Sequence, residues 1–324
     1  MQLPSRKDLK PYAQEDLRRS KIELLATLTS TLVACGLAAL LSGPLAYLVA
    51  VVAGLAATRL FVLLHDHIHG AFLRKPRWAK LVFWWVGLLL LTPLSVWRQS
   101  HTYHHRRTGL YRSAQVGSFP VWTVQRWRRS SALEKTAYRC IRHPANAALG
   151  LLTVFAIGMV LGPLLRRPKA HWDAAACLML HGSALALALS WGAFLPWCRA
   201  LLIPLGLAAL IGSVLFYVQH NFPGVVYQKQ RARRGEPAPL NCTSHLQCPN
   251  WAHRWLANIG YHTIHHHHEA IPFYRLPEVW RDFPEFQQSP RVSPTPRALK
   301  ACYALALWDD HQQRMLTWKE LSHL

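Results

Sequence analysis

Leu45-Ala-Tyr-Leu-Val-Ala-Val-Val-Ala-Gly-Leu-Ala-Ala-Thr-Arg-Leu-Phe-Val-Leu-Leu-His-Asp-His-Ile-His69 is the stretch from which the rest of the chain can be read. As far as Leu64 it is almost wholly apolar. At 1.5 Å per residue such a run crosses roughly 30 Å of hydrocarbon. It ends in His65 and His69, four residues apart and so on one face of a helix. Before it lie a second apolar run, Leu24 to Leu41, and the breaker Ser42-Gly43-Pro44. Two runs joined by a tight, uncharged turn predict a helical hairpin in a bilayer. The turn belongs on the far side and the basic ends on the cytoplasmic side, where His65 emerges. Arg59 lies inside the second run and is expected to be paired or to face protein.

Composition agrees. The chain has 324 residues, 51% hydrophobic and only 16% charged, against about 25% charged in ordinary soluble domains. The formal net charge of +22 comes mostly from arginine. These residues flank apolar runs, so lipid headgroups or an acidic protein are the expected partners and nucleic acid is not. Seven cysteines without a C-x-x-C give neither a disulfide framework nor an iron–sulfur pattern. Residues 1–23 are polar and charged, with no signal-peptide pattern. They read as a cytoplasmic arm in which Leu3, Leu9, Tyr12 and Leu17 suit the membrane interface.

Further along, Lys80–Leu94 is apolar but short for a span. Residues 106–142 interleave nine Arg and Lys side chains with Trp122, Trp127 and Tyr138, the composition of a cytoplasmic interfacial surface. Headgroup anchoring and docking of an acidic partner both fit it. Three more apolar runs follow, Ala147–Leu165, Ala174–Leu195 and Ala200–Val218. The histidine clusters described below must meet on one side of the membrane. Parity therefore makes 80–94 re-entrant or interfacial, and keeps 147–165, which ends in Arg166-Arg-Pro-Lys169, on the cytoplasmic side. The expected architecture is an all-α integral membrane protein. It has four transmembrane helices in two hairpins, re-entrant or interfacial helices, and a cytoplasmic histidine-rich cap. The loop 196–199 is expected outside, and Arg297–Leu321 is expected to be helical on the cytoplasmic surface. The divisions are 1–23, a membrane domain at 24–280, and a tail at 281–324.

The chemistry sits in three clusters. His65-x-x-x-His69 ends the first hairpin; His101-Thr-Tyr-His104-His105 and His262-Thr-Ile-His265-His266 repeat one H-x-x-H-H spacing. Eight imidazoles are too many for one tetrahedral ion and suit two metals; iron, zinc and copper all accept such ligands. His220, at the end of the last apolar run, is within reach of the same assembly. Asp66 and Glu269 adjoin ligand candidates and could orient them from behind, or simply cap and solvate. His67, His245, His253, His267 and His268 read as structural or solvated. A bilayer site with redox-active metals points to an apolar substrate and to oxidation by O2. A histidine-rich metal transporter is the non-enzymatic alternative, but it should carry its polar ligands near mid-bilayer rather than at the ends of spans.

Over residues 20–280 the chain resembles the membrane fatty-acid desaturases, in particular the acyl-lipid branch. The stretches that carry the likeness are H65-D-H-I-H69-G, R98-Q-S-H101-T-Y-H104-H105, F216-Y-V-Q-H220-N-F, N258-I-G-Y-H262-T-I-H265-H266 and I271-P-F-Y-R-L-P277. The resemblance implies two non-haem iron ions held by His65, His69, His101, His104, His105, His262, His265 and His266, with His220 as ninth ligand. It also implies a metal-bound water near Asn258. The expected reaction places a cis double bond in an acyl chain of a membrane lipid, using O2 and electrons from a separate ferredoxin or cytochrome b5 type donor. The position leans to Δ12, and the location to a bacterial inner membrane with the site facing the cytoplasm. Many relatives have a histidine where this chain has Thr263. A hydroxylase or carotenoid-modifying oxygenase of the same superfamily is the alternative. An apolar tunnel is expected beside the metals, bounded by the second and fourth spans.

Overall fold

The computed structural model describes residues 3–111, 119–229 and 240–323. Arg112 and most of the basic segment 228–234 lie outside them. Among the described residues four helices are long and apolar enough to cross a membrane. They are α1 (Leu17–Leu40), α2 (Gly43–His69), a third spanning helix (Trp172–Ser190) and a fourth (Phe194–Val218). α1 begins inside the polar arm, because Asp16 accepts a hydrogen bond from the Arg19 amide and caps the helix. The arm itself is no interfacial segment. Leu9 is fully buried in the main apolar core, with Leu3 and Tyr12 packed against it.

The two hairpins pack through small residues. Ala34 and Ala38 of α1 and Ala46, Ala50 and Ala53 of α2 are all buried, as expected where backbones approach closely in lipid. At Gly54 a Cβ would come within 2.9 Å of Leu207 on the fourth spanning helix. Large apolar side chains such as Leu25, Leu32, Leu48 and Met179 remain exposed, as lipid-facing residues should. Trp172 and Trp191 are exposed at opposite ends of the third spanning helix, where interfacial tryptophans concentrate. The second turn lies at 191–193, not at 196–199. Arg199 is buried within the fourth helix and donates to the Ala39 carbonyl of α1. Arg59 is paired, with Glu23, Thr27 and the Arg254 carbonyl as partners.

The apolar stretch at 80–94 forms α3 (Arg77–Leu89) and then turns sharply into α4 (Leu94–Arg107), the two axes meeting at 92°. Leu91 adopts a left-handed φ of 52°, and the Thr92 amide donates to the Gly87 carbonyl at 2.7 Å. A Cβ on residue 87 would sit 2.7 Å from the Thr92 carbonyl oxygen, so glycine lets the corner close. Residues Leu151–Leu161 are π-helical and continue to Arg166 as an apolar helix shorter than a span.

The cap outside the spanning helices departs from the all-helical reading of the tail. Pro296–Ala304 is a helix, but the chain then forms strands. β1 (Trp122–Thr123) runs parallel to β4 (Leu305–Asp309), which pairs antiparallel with β5 (Arg314–Thr317). Elsewhere β2 (His245–Leu246) runs parallel to β3 (Arg291–Val292). The hairpin forms because the Asp309 carboxylate accepts from the amides of His311 and Gln312, a local turn that competes with helix. β4 is buried from Leu305 through Trp308. Trp122, Trp127 and Tyr138 form the core beneath this sheet rather than an interfacial belt. Arg126 and Arg139 cover Trp122 and Trp127 from outside. Arg142, at the end of the helix Ala132–Arg142, is fully buried.

Candidate metal centre

α2 carries His65 and His69 to its C-terminal end and stops there. Gly70 takes a φ of 73°, and its amide closes onto the carbonyls of Asp66 and His67. The corner after α3 brings α4 back over this end, so that His101, His104 and His105 face it. The third cluster lies on the short helix His262–His267. Ahead of that helix Ala257 and Asn258 take left-handed φ angles of 43° and 55°. A Cβ at Gly260 would meet the His253 ring at 2.6 Å. That contact accounts for the glycine and for His253, which stacks with Tyr261 and His245 rather than joining the cluster.

All nine histidines singled out in the sequence meet in one buried assembly. They divide into two groups that cut across the sequence clusters. Ring nitrogens of His65, His69, His101, His105 and His265 lie within 4.8 Å of one another, as do those of His104, His220 and His266. His262 joins the second group, its Nε2 2.9 Å from Nε2 of His220. His101–His105 and His105–His265 approach at 3.2 and 3.1 Å. Two ligands bound at about 2.1 Å and set at a right angle stand about 3 Å apart, so these spacings suit nitrogens converging on common points. Neighbours on a helix differ in direction by about 100°. His104 and His105 therefore serve different groups, as do His265 and His266.

The nitrogens themselves fit metals. His69 Nε2, His104 Nε2 and His266 Nε2 are buried in the two groups without a hydrogen-bond partner. Each such orphan costs about 1–3 kcal/mol unless something binds it. Burial, followed by the neighbouring imidazoles, drives the pKa values of His262, His265 and His266 well below the ordinary range. Burial, partly opposed by a backbone hydrogen bond at Cys242, brings His220 down to about 4. Neutral rings keep lone pairs for a metal.

Asp66 Oδ1 lies 3.0 Å from His65 Nδ1, while its Oδ2 accepts the Phe273 amide at 2.8 Å. This carboxylate thus holds the His65 ring, leaving Nε2 for the cluster. Glu269 pairs with Arg6 at the surface, and Asn258 donates to the Phe273 carbonyl at 3.0 Å. His67 and His267 donate to the carbonyls of Phe72 and Pro4. Thr263 bonds Thr243 at 3.1 Å. One contributor escaped the sequence reading: Arg142 donates to Asn221 Oδ1, next to His220, and to the carbonyls of Pro120 and Leu305. It was hidden among exposed arginines of the same segment.

Beside the histidines lies a cavity of about 1020 Å³, walled by α2, α4, the π-helical segment and the fourth spanning helix. Its inner end is aromatic. Trp97 stacks on His101 at 4.4 Å between centroids, and Phe216 lies 4.9 Å from His104. A cavity lies where the tunnel is expected, touching the second span at Phe61 and the fourth at Gly212, Ser213 and Phe216, with a π-helical wall that apolar periodicity did not suggest.

An all-α membrane protein with a buried histidine cluster against an apolar cavity defines a class, the membrane-bound oxidoreductases of lipids. Within it the chain belongs to the fatty acid desaturase family, whose model matches residues 42–295. Among its relatives, "Fatty acid desaturase" of Bacillus subtilis (strain 168) is 26% identical over 326 residues, covering 98% of this chain and 91% of that protein. The "sn-1 oleoyl-lipid 12-desaturase" of Synechocystis sp. is 25% identical over 230 residues, covering 69% of this chain and 64% of that one. An oleate hydroxylase of Claviceps purpurea is 32% identical over 108 residues, 33% of this chain and 23% of that protein.

Proposed function

We propose that the protein is an O2-dependent di-iron desaturase that introduces a cis double bond, at the 12 position, into acyl chains of membrane lipids. The observation that carries this reading is that the two histidine groups lie directly behind the aromatic inner wall of an apolar cavity, Trp97 against His101 and Phe216 against His104. His65, His69, His101, His105 and His265 would hold one iron, and His104, His220, His262 and His266 the other. Bound there, the irons would activate O2 as the oxidant for an unactivated C–H bond. The protein's own part is to bind, orient and exclude. The cavity takes the acyl chain, each buried methylene contributing about 0.8 kcal/mol. Trp97 and Phe216 form its wall on the histidine side, and closing the cavity over the chain would keep bulk water from the reacting carbons. Asp66 fixes the His65 ring; Asn258 and Glu269 remain candidates for supporting roles around the ligands.

Relatives named for oleoyl lipids and the 12 position support the substrate and the regiochemistry. Residues 24–280 would form the catalytic membrane domain, with 1–23 and 281–324 on its cytoplasmic side, in a bacterial inner membrane. Electrons would come from a separate ferredoxin or cytochrome b5 type protein. The likeness to an oleate hydroxylase supports one second reading, return of OH to the same carbon. The test is expression in a bacterial host with a ferredoxin and its reductase, followed by gas chromatography and mass spectrometry of the fatty-acid esters. A new dienoic acid that disappears in His265→Ala, together with about two irons per chain that fall in the variant, is the expected result. Hydroxylated acids would favour the second reading; full activity in His265→Ala would refute the site.

A further inference from the structure

The outer end of the cavity differs in kind from the inner end. Arg166 and Arg167 line it and are exposed. Among the described residues neither guanidinium makes a hydrogen bond, an ion pair or a ring contact. No aspartate or glutamate lines the cavity. A third polar group, His171, lines the same cavity and is buried. Its Nδ1 lies 2.8 Å from Ser95 Oγ, and Ser95 in turn donates to Asp173, whose other oxygen accepts the Ser95 amide. With Ser95 Oγ donating to Asp173, Nδ1 carries the hydrogen and Nε2 is the ring's remaining polar atom. The imidazole is thereby held between α4 and the third spanning helix.

We infer that Arg166, Arg167 and His171 form a headgroup subsite for an anionic phospholipid, whose esterified acyl chain runs inward through the cavity to the histidine cluster. This inference rests on the acyl-chain reading of the cavity and adds which lipid enters it. Guanidinium forks match phosphate oxygens, and a phosphodiester without its own cation is the headgroup they bind best. A headgroup bearing an ammonium brings a charge for which the cavity offers no carboxylate. The subsite also acts as a ruler. Phe155 reaches the inner aromatic group through Phe61, which lies against Trp97, and it belongs to the same apolar helix as Arg166. Eleven residues apart, they are separated by at most roughly 16 Å along the axis. Anchoring the phosphate at one end therefore limits which carbon lies beside the histidines.

The test uses the purified iron-loaded protein in detergent, with phosphatidylglycerol and phosphatidylcholine of identical acyl composition as probes and oleoyl-coenzyme A as competitor. Binding is read by native mass spectrometry. The wild type is expected to prefer phosphatidylglycerol about tenfold, and Arg166→Gln/Arg167→Gln to lose that preference, its phosphatidylglycerol affinity falling further than its phosphatidylcholine affinity while iron content stays unchanged. Both arginines are exposed, so the variant should fold. Equal binding of the two lipids by the wild type, a preference retained in the variant, or stronger binding of the coenzyme A thioester would each overturn the subsite. Reconstituted activity separates the two levels. Double bonds formed equally in both lipids would refute this inference alone, whereas no oxidation of any acyl chain would refute the desaturase reading.

Discussion

Arg142 shows how far the role of a residue can lie from its sequence neighbourhood. It is fully buried, no carboxylate hydrogen-bonds it, and its two terminal nitrogens donate to Asn221 and two carbonyls while Nε has no partner. It faces the rings of Tyr138 and Tyr217. Hydrogen bonds from a charged donor contribute about 1.5–3 kcal/mol each, and removing one partner of a buried set strands the others. Arg142→Met should destabilise the protein by roughly 3 kcal/mol, seen as a lowered thermal midpoint of the solubilised protein, with iron binding weakened through Asn221 and His220. Arg142→Met with unchanged midpoint and iron content would show that the guanidinium is dispensable. Acid sensitivity is a second consequence at this scale. The folded pKa values of His220, His262, His265 and His266 lie below the unfolded value near 6.5. The unfolded chain therefore binds more protons, and stability rises with pH. Metal-free protein should keep its full stability above pH 6.5 and lose it progressively as the pH falls towards 4. Thermal unfolding of chelator-treated protein between pH 5 and 8 checks the sign; a midpoint that rises on acidification would contradict it.

Among the elements, the corner between α3 and α4 matters most, because it decides on which side three histidines arrive. Gly87→Ala places a Cβ 2.7 Å from the Thr92 carbonyl, backbone against backbone, so the corner must open. The expected outcome is a protein that still enters the membrane and is recovered at normal yield, but has lost most of its iron and at least tenfold of its desaturation. Wild-type iron and activity in Gly87→Ala would show that α4 is positioned by something else. Apolar length marked 80–94 as too short for a span; the close approach at Gly87 explains how it turns back.

For the whole molecule the test is topology. Two helical hairpins with turns at 41–42 and 191–193 put both turns on one side and the cap on the other. Single cysteines at Ser42 and Trp191 should react with an impermeant maleimide added outside intact cells. One at Leu133, 80% exposed on the cap, should react only after lysis. Labelling of position 133 in intact cells would require the spans to be redrawn.

Four apolar runs and the histidine spacings were legible along the chain, because each is local. Hydrocarbon thickness sets the length of a span, and helix pitch puts i, i+3 and i+4 on one face. Spacing thus marks eight of the histidines, and His220 stands out by its place at the end of an apolar run and by the family resemblance. How they divide was settled in space: adjacent histidines on a helix point apart, so His104 and His105 part company, and His65 meets His265 across 200 residues. The same holds for Arg142, buried by strands far along the chain, and for the tail, where the Asp309 turn and the apolar surface under β4 replaced helix with a hairpin. Periodicity records what a segment could bury. Which surface it meets, and which of two arginines in one segment meets lipid or core, depends on contacts between elements remote in sequence, and only tertiary structure determines those.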